Sequence, residues 1–209
     1  MTHAPKTTWL QRSLITLIVV ETLSLLSSAM QLNLLSNLPV DMEAAKANDL
    51  RESIMGAAFF ITYLFTSVVF ARWIIASHKT VRALGAQGMT ITPGWAVGYY
   101  FIPFINLVRP YTAMKELWCA SVDPQHATTQ VAPSLLPGWW TLWIINGVLG
   151  QIIWRMSMHA EGIEMLKTVT VLSIVGSIAG VALSFVALKL VRGITGNIAR
   201  HFEPPALQA

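Results

Sequence analysis

Two charged residues lie inside long apolar runs of this sequence. Glu21 interrupts the run at 13–38, and Arg72 lies near the end of the run at 54–75. A charge in hydrocarbon costs several kcal/mol, so such residues are usually paired or line a polar cavity. Consecutive spans run in opposite directions, which can bring these two residues to the same depth. The sequence therefore predicts a contact between Glu21 and Arg72.

Polar residues in other apolar segments extend this set. Asn106 and Arg109 close a short apolar stretch, and a later span contains Asn146 and Gln151. Such groups could form a polar cleft for a solute, a proton or a lipid headgroup. The alternative is that they pair simply to hold helices together. The candidate functional polar cluster consists of Glu21, Arg72, Asn106 and Arg109.

The sequence contains no catalytic or metal-binding motif. Its five histidines are scattered, with no His-Glu-x-x-His sequence and no pair at i, i+4. P-loop, dinucleotide-binding and G-x-S-x-G motifs are missing too. The single cysteine, Cys119, excludes an intramolecular disulfide and a cysteine metal cluster. We therefore expect a protein that is not an enzyme and has no catalytic residues, no metal site and no cofactor.

Composition indicates that the bilayer is the main solvent of this chain. Of its 209 residues, 54% are hydrophobic and 11% are charged, against about 25% charged in soluble domains. Apolar runs of about 20 residues, the length that crosses the hydrocarbon core as a helix, recur along the chain. The sequence predicts an all-α integral membrane protein that forms one membrane domain over residues 1–209. Four transmembrane helices are predicted, at about 12–37, 54–77, 136–156 and 167–190.

The segment at 94–121 is apolar but is not a simple span. Its uncharged part, 95–108, has 14 residues, or about 21 Å of helix, and Pro103 lies inside it. Pro110 can begin a second helix, because the first helical position needs no N–H group. We therefore predict a Pro-broken re-entrant hairpin followed by an interfacial helix. Its interfacial residues are Trp95, Pro103, Pro110, Tyr111, Lys115 and Trp118.

The second helix of this hairpin has one apolar face. Tyr111, Met114, Leu117, Trp118 and Ser121 fall on one side of a helix that begins at Pro110. This pattern is typical of a helix lying in the membrane interface, with its tryptophan and tyrosine at headgroup depth. An ordinary helix packed against the transmembrane bundle fits the same pattern equally well.

The distribution of lysine and arginine decides between re-entry and a fifth span. With four spans, cytoplasmic termini and a hairpin entering from that side, ten basic residues are cytoplasmic and four are outside. If the segment crosses the membrane instead, each side has seven basic residues. Cytoplasmic loops are enriched in basic residues, so the first arrangement is predicted. The net charge of +4 is then a cytoplasmic feature that attracts anionic lipid headgroups rather than nucleic acid.

Small residues predict close helix packing in the last span. Gly176 and Gly180 form a G-x-x-x-G step, and Ser173, Ser177 and Ser184 lie on neighbouring turns. Small side chains of this kind allow another backbone to approach closely within the membrane. We expect packing within the chain rather than dimerisation.

The stretch at 93–121 also carries a family resemblance. It combines a P-G-W-A-V-G start, an aromatic run, a proline, an N-x-x-R-P step and a W-x-A-S end. In this pattern it resembles DUF4328, a bacterial family of multipass membrane proteins of unknown function, although Cys119 replaces an expected basic or polar residue. The resemblance implies a bacterial inner-membrane protein with two helices on each side of the stretch, and it implies no activity. The matching residues are Pro93, Gly94, Trp95, Pro103, Asn106, Arg109, Pro110, Tyr111, Trp118, Ala120 and Ser121.

Two functional hypotheses follow. The first is a non-enzymatic membrane scaffold, whose interfacial helix presents Arg109, Lys115 and Glu116 to anionic lipid headgroups or to a protein partner at the cytoplasmic face. The second is a small transporter or channel component that uses the candidate polar cluster as a pathway. The solute, the partner and the oligomeric state are left open by the sequence.

Overall fold

The computed structural model describes residues 7–37, 39 and 41–202. The regular secondary structure of these residues is helical and contains no β-strand, which confirms the all-α class. The helices are α1 (Thr8–Ser36), α2 (Met42–Ala83), α3 (Trp95–Gly98), α4 (Arg109–Val122), α5 (Leu135–Ser157) and α6 (Ile163–Arg200). Three short 3-10 turns are found at Tyr99–Phe101, Ile105–Leu107 and Ala127–Thr129. Both termini, including Lys6, lie outside the described residues, so their predicted cytoplasmic position does too.

Three of these helices are long and apolar enough to cross a membrane: α1, α2 and α6. They contain 29, 42 and 38 residues, or about 44, 63 and 57 Å of helix, against a hydrocarbon core of about 30 Å. Only 6% of the most apolar stretch of α2 is buried within the protein. Such a helix needs lipid or another apolar surface around it, which agrees with a membrane protein.

The fourth predicted span is a continuous helix of lower hydropathy. α5 has 23 residues and carries no charge before Arg155, but it is not among the helices apolar enough to cross by hydropathy. Its Asn146 and Gln151 are polar, and its four tryptophans, which are amphipathic, contribute little to hydropathy. The helix forms where the sequence predicts it, while its position in the membrane stays a prediction.

Local capping explains where α2 begins and ends. Asp41 precedes the helix, and its carboxylate accepts a hydrogen bond from the Ala44 N–H at 3.2 Å, as an N-cap residue does. At the other end Gly85 adopts a φ of 90°, a left-handed conformation that glycine tolerates and that ends helices. The Ala86 N–H then reaches back to the Val81 carbonyl at 3.1 Å. The sequence therefore stops this helix after Ala83.

The chain divides into two compact units, and long helices contribute residues to both. The first unit comprises residues 7–12, 67–140 and 186–202 of the described chain, and the second comprises 13–66 and 141–185. The core of the first unit is apolar, with Val81, Leu117 and Ile194 completely buried. The hairpin segment and α4 belong to this unit.

The second unit has a polar interior. Among its described residues, Leu14 and Leu17 are the buried hydrophobic side chains. Nine buried residues of the same unit are polar or charged. In a unit built from candidate membrane helices, polar groups therefore face inward and apolar groups face outward. The nine are Ser13, Glu21, Ser27, Ser28, Asn48, Thr66, Thr170, Ser177 and Ser184.

Candidate functional site: a polar seam between α1 and α6

Polar and small residues on α1 and α6 form a line of contact in the second unit. On each helix they are spaced by three, four and three residues, which puts them on one helical face. The Gln31 amide donates to the Thr170 hydroxyl at 2.8 Å, and Glu21 lies against Gly180 and close to Ser177. The two helices therefore meet in antiparallel directions along this face. We call it the polar seam: Glu21, Ser24, Ser28 and Gln31 on α1, with Thr170, Ser173, Ser177 and Gly180 on α6.

Glu21 is the charged residue of the polar seam. Its side chain is buried, with 8% of the residue exposed, and it lies one residue from Thr22, the midpoint of α1. A Cβ atom added to Gly180 would lie 2.7 Å from the Glu21 Cδ atom. A side chain at position 180 would therefore force the carboxylate to move. Within the second unit, no lysine or arginine forms an ion pair with Glu21.

A hydrogen-bond network continues from the seam toward the loop between α1 and α2. The Asn48 amide donates to the Gln31 side-chain oxygen at 3.4 Å, and Arg51 donates to the Asn48 oxygen at 2.6 Å. Arg51 also donates to the Ser27 hydroxyl at 2.9 Å, and Ser27 donates to Glu52 at 2.5 Å. The polar interior of the second unit thus reaches the first turns of α2.

One hydroxyl in the seam has no partner among the described residues. The Ser24 Oγ atom is buried and makes no hydrogen bond, although it lies one helical turn from Glu21. In contrast, the Ser173 hydroxyl donates to the Val169 carbonyl of its own helix at 2.9 Å. A buried hydroxyl without a partner is unusual, because it loses the hydrogen bonds that water would supply.

The predicted polar cluster is divided between the two units. Glu21 faces inward in the second unit, as predicted for a charge in an apolar run. Arg72, Asn106 and Arg109 belong to the first unit, where Arg72 is exposed and Asn106 is half-buried. The Arg109 guanidinium is exposed and lies over the Tyr99 ring, 5.7 Å from its centroid. The pairing of Glu21 with Arg72 stays a prediction.

The other two polar residues of the predicted spans also lie away from the polar seam. Asn146 donates to the Leu142 carbonyl of its own helix at 2.9 Å, and Gln151 is exposed. Ser24, Ser28 and Gln31 on α1 are not among the site residues that the sequence predicts. Their spacing from Glu21 matches the spacing found on α6, and this repeated pattern was the available signal.

The hairpin segment is broken into short turns. α3 has four residues, and two 3-10 turns follow it before α4 begins. One side is anchored, because the Trp140 ring N–H donates to the Leu107 carbonyl at 3.0 Å. The opposite side is apolar and exposed: Phe101 is 81% exposed and Phe104 is 86% exposed. Phe104 also has a φ of 64°, a conformation that costs a residue other than glycine about 1–3 kcal/mol.

α4 packs its apolar face against α6. Leu117 and Ser121, which the sequence places on one face of this helix, are completely buried. The Asn197 amide donates to the Ser121 hydroxyl at 3.1 Å, and a Cβ on Gly193 would lie 2.7 Å from the Trp118 ring. The packed-helix interpretation is therefore observed, and the interfacial position of α4 stays a prediction.

The opposite face of α4 organises the preceding loop. The Glu116 carboxylate accepts hydrogen bonds from the Thr90 and Ile91 N–H groups, both at 3.1 Å, and from the Thr90 hydroxyl at 2.5 Å. Glu116 is therefore satisfied within the chain, whereas Lys115 is exposed. Lys115 and Glu116 line a cleft of about 270 Å³ together with Cys119. The Cys119 thiol donates to the Gln130 carbonyl at 3.4 Å, and burial raises its pKa.

The family model described as Domain of unknown function (DUF4328) matches residues 36–196. The chain belongs to the DUF4328 family. This confirms the resemblance carried by the stretch at 93–121. The DUF4328 match covers α2, the hairpin, α4 and α5, and most of α6, whereas α1 with Glu21 lies before it. No match is found among curated proteins or among solved structures.

Proposed function

We propose that this DUF4328 protein is a non-enzymatic module of the bacterial inner membrane that engages lipid at the cytoplasmic face. In this proposal α1, α2, α5 and α6 cross the bilayer, and both termini are cytoplasmic. The segment at 94–121 enters from the same side and returns. The 23 residues of α5 extend about 35 Å, which is sufficient to cross a core of about 30 Å.

The exposed apolar tip of the hairpin carries this proposal. Phe101, Phe104 and Val108 are 81%, 86% and 62% exposed within one short segment. Large side chains grouped in this way are unfavourable in water and mark surfaces for lipid or protein. The strained backbone at Phe104 supports the same conclusion, because strain persists where it contributes to function. An inserted tip would be covered by acyl chains.

Charged residues next to the tip favour lipid with anionic headgroups. Arg109 directly follows the apolar stretch, and Lys115 lies less than two turns further along α4. Both side chains are exposed. Basic residues near the cytoplasmic leaflet each contribute about 1 kcal/mol of attraction to anionic lipid. The stacking of Arg109 on Tyr99 would hold the guanidinium at headgroup depth, where aromatic rings also favour the interface.

Spin labelling tests the insertion of the tip. Cys119→Ser removes the single native thiol and keeps a hydroxyl donor for the Gln130 carbonyl. A nitroxide is then attached at Phe101→Cys, with Gln125→Cys as a control on an exposed loop. In nanodiscs containing phosphatidylglycerol, we expect oxygen to relax the label at 101 more strongly than a water-soluble nickel complex. Equal access of the nickel complex to both sites would refute the insertion.

Two further measurements test the topology and the choice of lipid. Paired reporter fusions after Ser121 should give a cytoplasmic signal, and an external signal would mean that 95–108 crosses the membrane. Phosphatidylglycerol should raise the melting temperature of the wild type more than that of an Arg109→Gln, Lys115→Gln double variant. Equal stabilisation of both proteins would favour a protein partner over anionic lipid as the target of this face.

The polar seam favours a second candidate, a small transporter or channel component. A polar interior between candidate membrane helices offers a path that an apolar core does not. In proteoliposomes loaded with a pH-sensitive dye, Glu21→Gln should then abolish proton flux while the protein keeps its fold. A variant that loses flux only in proportion to folded protein would count against transport.

A further inference from the structure

We propose that Glu21, Ser24 and Ser177 form an exchangeable binding site for one monovalent cation, either a proton or Na⁺. The site lies in the polar seam of the second unit. It goes beyond the proposed function, because it depends neither on insertion of the hairpin nor on net transport. Three observations carry it: an uncompensated buried carboxylate, a spare buried hydroxyl one helical turn away, and a polar connection to the loop.

The first observation is the missing countercharge. Glu21 is buried in the middle of α1, and its nearest polar neighbour on α6 is the neutral Ser177. An ionised carboxylate in such surroundings is costly unless a positive charge accompanies it. The elements that pack on it face it with Ser177 and Gly180, which carry no charge. The other charged residues described in this unit lie on loops or near helix ends: Asp41, Glu43, Lys46, Asp49, Arg51, Glu52, Arg155, Glu161, Glu164 and Lys167.

The second observation is the unused coordination capacity at the site. The Ser24 Oγ atom is buried without a partner, one helical turn from the carboxylate. A hydroxyl in this position can accept a hydrogen bond from a protonated Glu21 or contribute an oxygen lone pair to Na⁺. Gly180 allows the carboxylate to lie directly against the α6 backbone. The ligands are therefore oxygen atoms, the atoms preferred by hard cations.

The charge of the site limits which cation it can hold. The seam offers one carboxylate, and the described residues contain no group of three His, Cys, Asp or Glu that could hold a metal. Ca²⁺ requires six to eight oxygen ligands, usually with several carboxylates. A single negative charge with neutral hydroxyls is instead neutralised by one monovalent ion. The site thus matches H⁺ or Na⁺ rather than a divalent metal.

The third observation is a route by which the ion can exchange. Ser28 and Gln31 continue the polar face of α1 beyond Ser24, and Gln31 joins the network of Asn48 and Arg51. That network ends at the half-exposed Glu52 near the start of α2. Polar groups thus connect the buried carboxylate to the loop side of the unit. A purely structural glutamate would require no such continuity.

Carbodiimide labelling tests the proposal, because dicyclohexylcarbodiimide enters membranes and modifies protonated carboxyl groups. The full-length wild type in membranes is treated at a series of pH values, and the adduct on the Glu21 peptide is measured by mass spectrometry. We expect labelling to accelerate as pH falls, since protonation is then exchangeable. If Na⁺ is the resident ion, added NaCl should slow labelling about tenfold while KCl should not. The Glu21→Gln variant, which has no carboxyl group at position 21, is the negative control for labelling.

Paired variants separate the site from general packing. Ser24→Ala removes the spare hydroxyl. If the ion is a proton, this variant should shift the pH profile of Glu21 labelling, and if it is Na⁺, it should weaken the Na⁺ protection. An effect of about tenfold is expected, because this is the order of a hydrogen bond to a charged group. Thr22→Ala is the control, because its exposed hydroxyl donates to the Ile18 carbonyl of its own helix. The proposal is overturned if Glu21 of the folded wild type is not labelled at any pH, or if the labelling rate depends on neither pH nor Na⁺ concentration.

Discussion

Replacing Gly180 with alanine measures how tightly the Glu21 carboxylate is held against α6. The new Cβ would lie 2.7 Å from the Glu21 Cδ atom, far inside van der Waals contact, so the carboxylate must move. Overpacking costs about 1–3 kcal/mol, and displacing the buried carboxylate from its polar surroundings costs about 1–3 kcal/mol. Alanine regains about 1 kcal/mol of helix propensity over glycine. We therefore expect Gly180→Ala to lower the free energy of unfolding by about 1–5 kcal/mol.

Thermal unfolding in detergent, followed by circular dichroism, gives the necessary comparison. Each kcal/mol corresponds to about 2–4 °C for a chain of this length, so a fall of roughly 2–20 °C is expected. Gly147→Ala is the matched control, because a Cβ at that position meets nothing within 4 Å. It should leave the melting temperature unchanged or raise it slightly.

A double-variant cycle identifies the cause of the loss. With Glu21→Ala already in place, the space beside Gly180 is empty, so Gly180→Ala should cost at least 1 kcal/mol less than it costs in the wild type. If the effects of the two substitutions are additive, or if Gly180→Ala and Gly147→Ala have the same melting temperature, the carboxylate does not occupy the position beside Gly180. The reasoning about the polar seam would then fail at its central contact.

Three further predictions concern the first unit. Gly193→Ala should lower the melting temperature, because its Cβ would lie 2.7 Å from the Trp118 ring. Gly196→Ala should not, because a Cβ at that position meets nothing within 4 Å. In a Trp118→Ala background the two glycine substitutions should have the same effect. Glu116→Gln should weaken the charge-assisted bonds to Thr90 and Ile91 and speed hydrogen exchange of those two amides about tenfold, while Lys115→Gln should not. Burial raises the pKa of Cys119, so iodoacetamide should alkylate this thiol slowly at neutral pH and faster as pH rises. An exposed cysteine, Ser134→Cys in a Cys119→Ser background, should be alkylated faster at neutral pH. Equal alkylation rates would contradict the burial of this thiol.

The sequence predicts the helices well because apolar run length and helix-ending residues are local signals. The run that contains Glu21 becomes α1, and the charge-free stretch at 135–154 becomes most of α5. The broken character of 95–108 also follows locally, since Pro103 and Arg109 prevent one continuous helix there. The sides of the membrane that the chain ends and the hairpin occupy depend on the surrounding bilayer, so apolar runs and basic residues predict them without a contact in the fold to test them.

The candidate site was harder to predict because it depends on pairing between distant helices. Composition rules single out Glu21 as a charge in an apolar run, yet they treat Ser24 and Ser28 as ordinary small residues of a membrane helix. Their importance emerges only when α6 presents Ser177 and Gly180 at the same spacing, about 150 residues later in the chain. A hydroxyl that donates a hydrogen bond to a carbonyl of its own helix, as that of Ser173 does, is compatible with simple packing. Ser24 does not do so, and a cation bound between this hydroxyl and the Glu21 carboxylate, as we propose, would satisfy both groups.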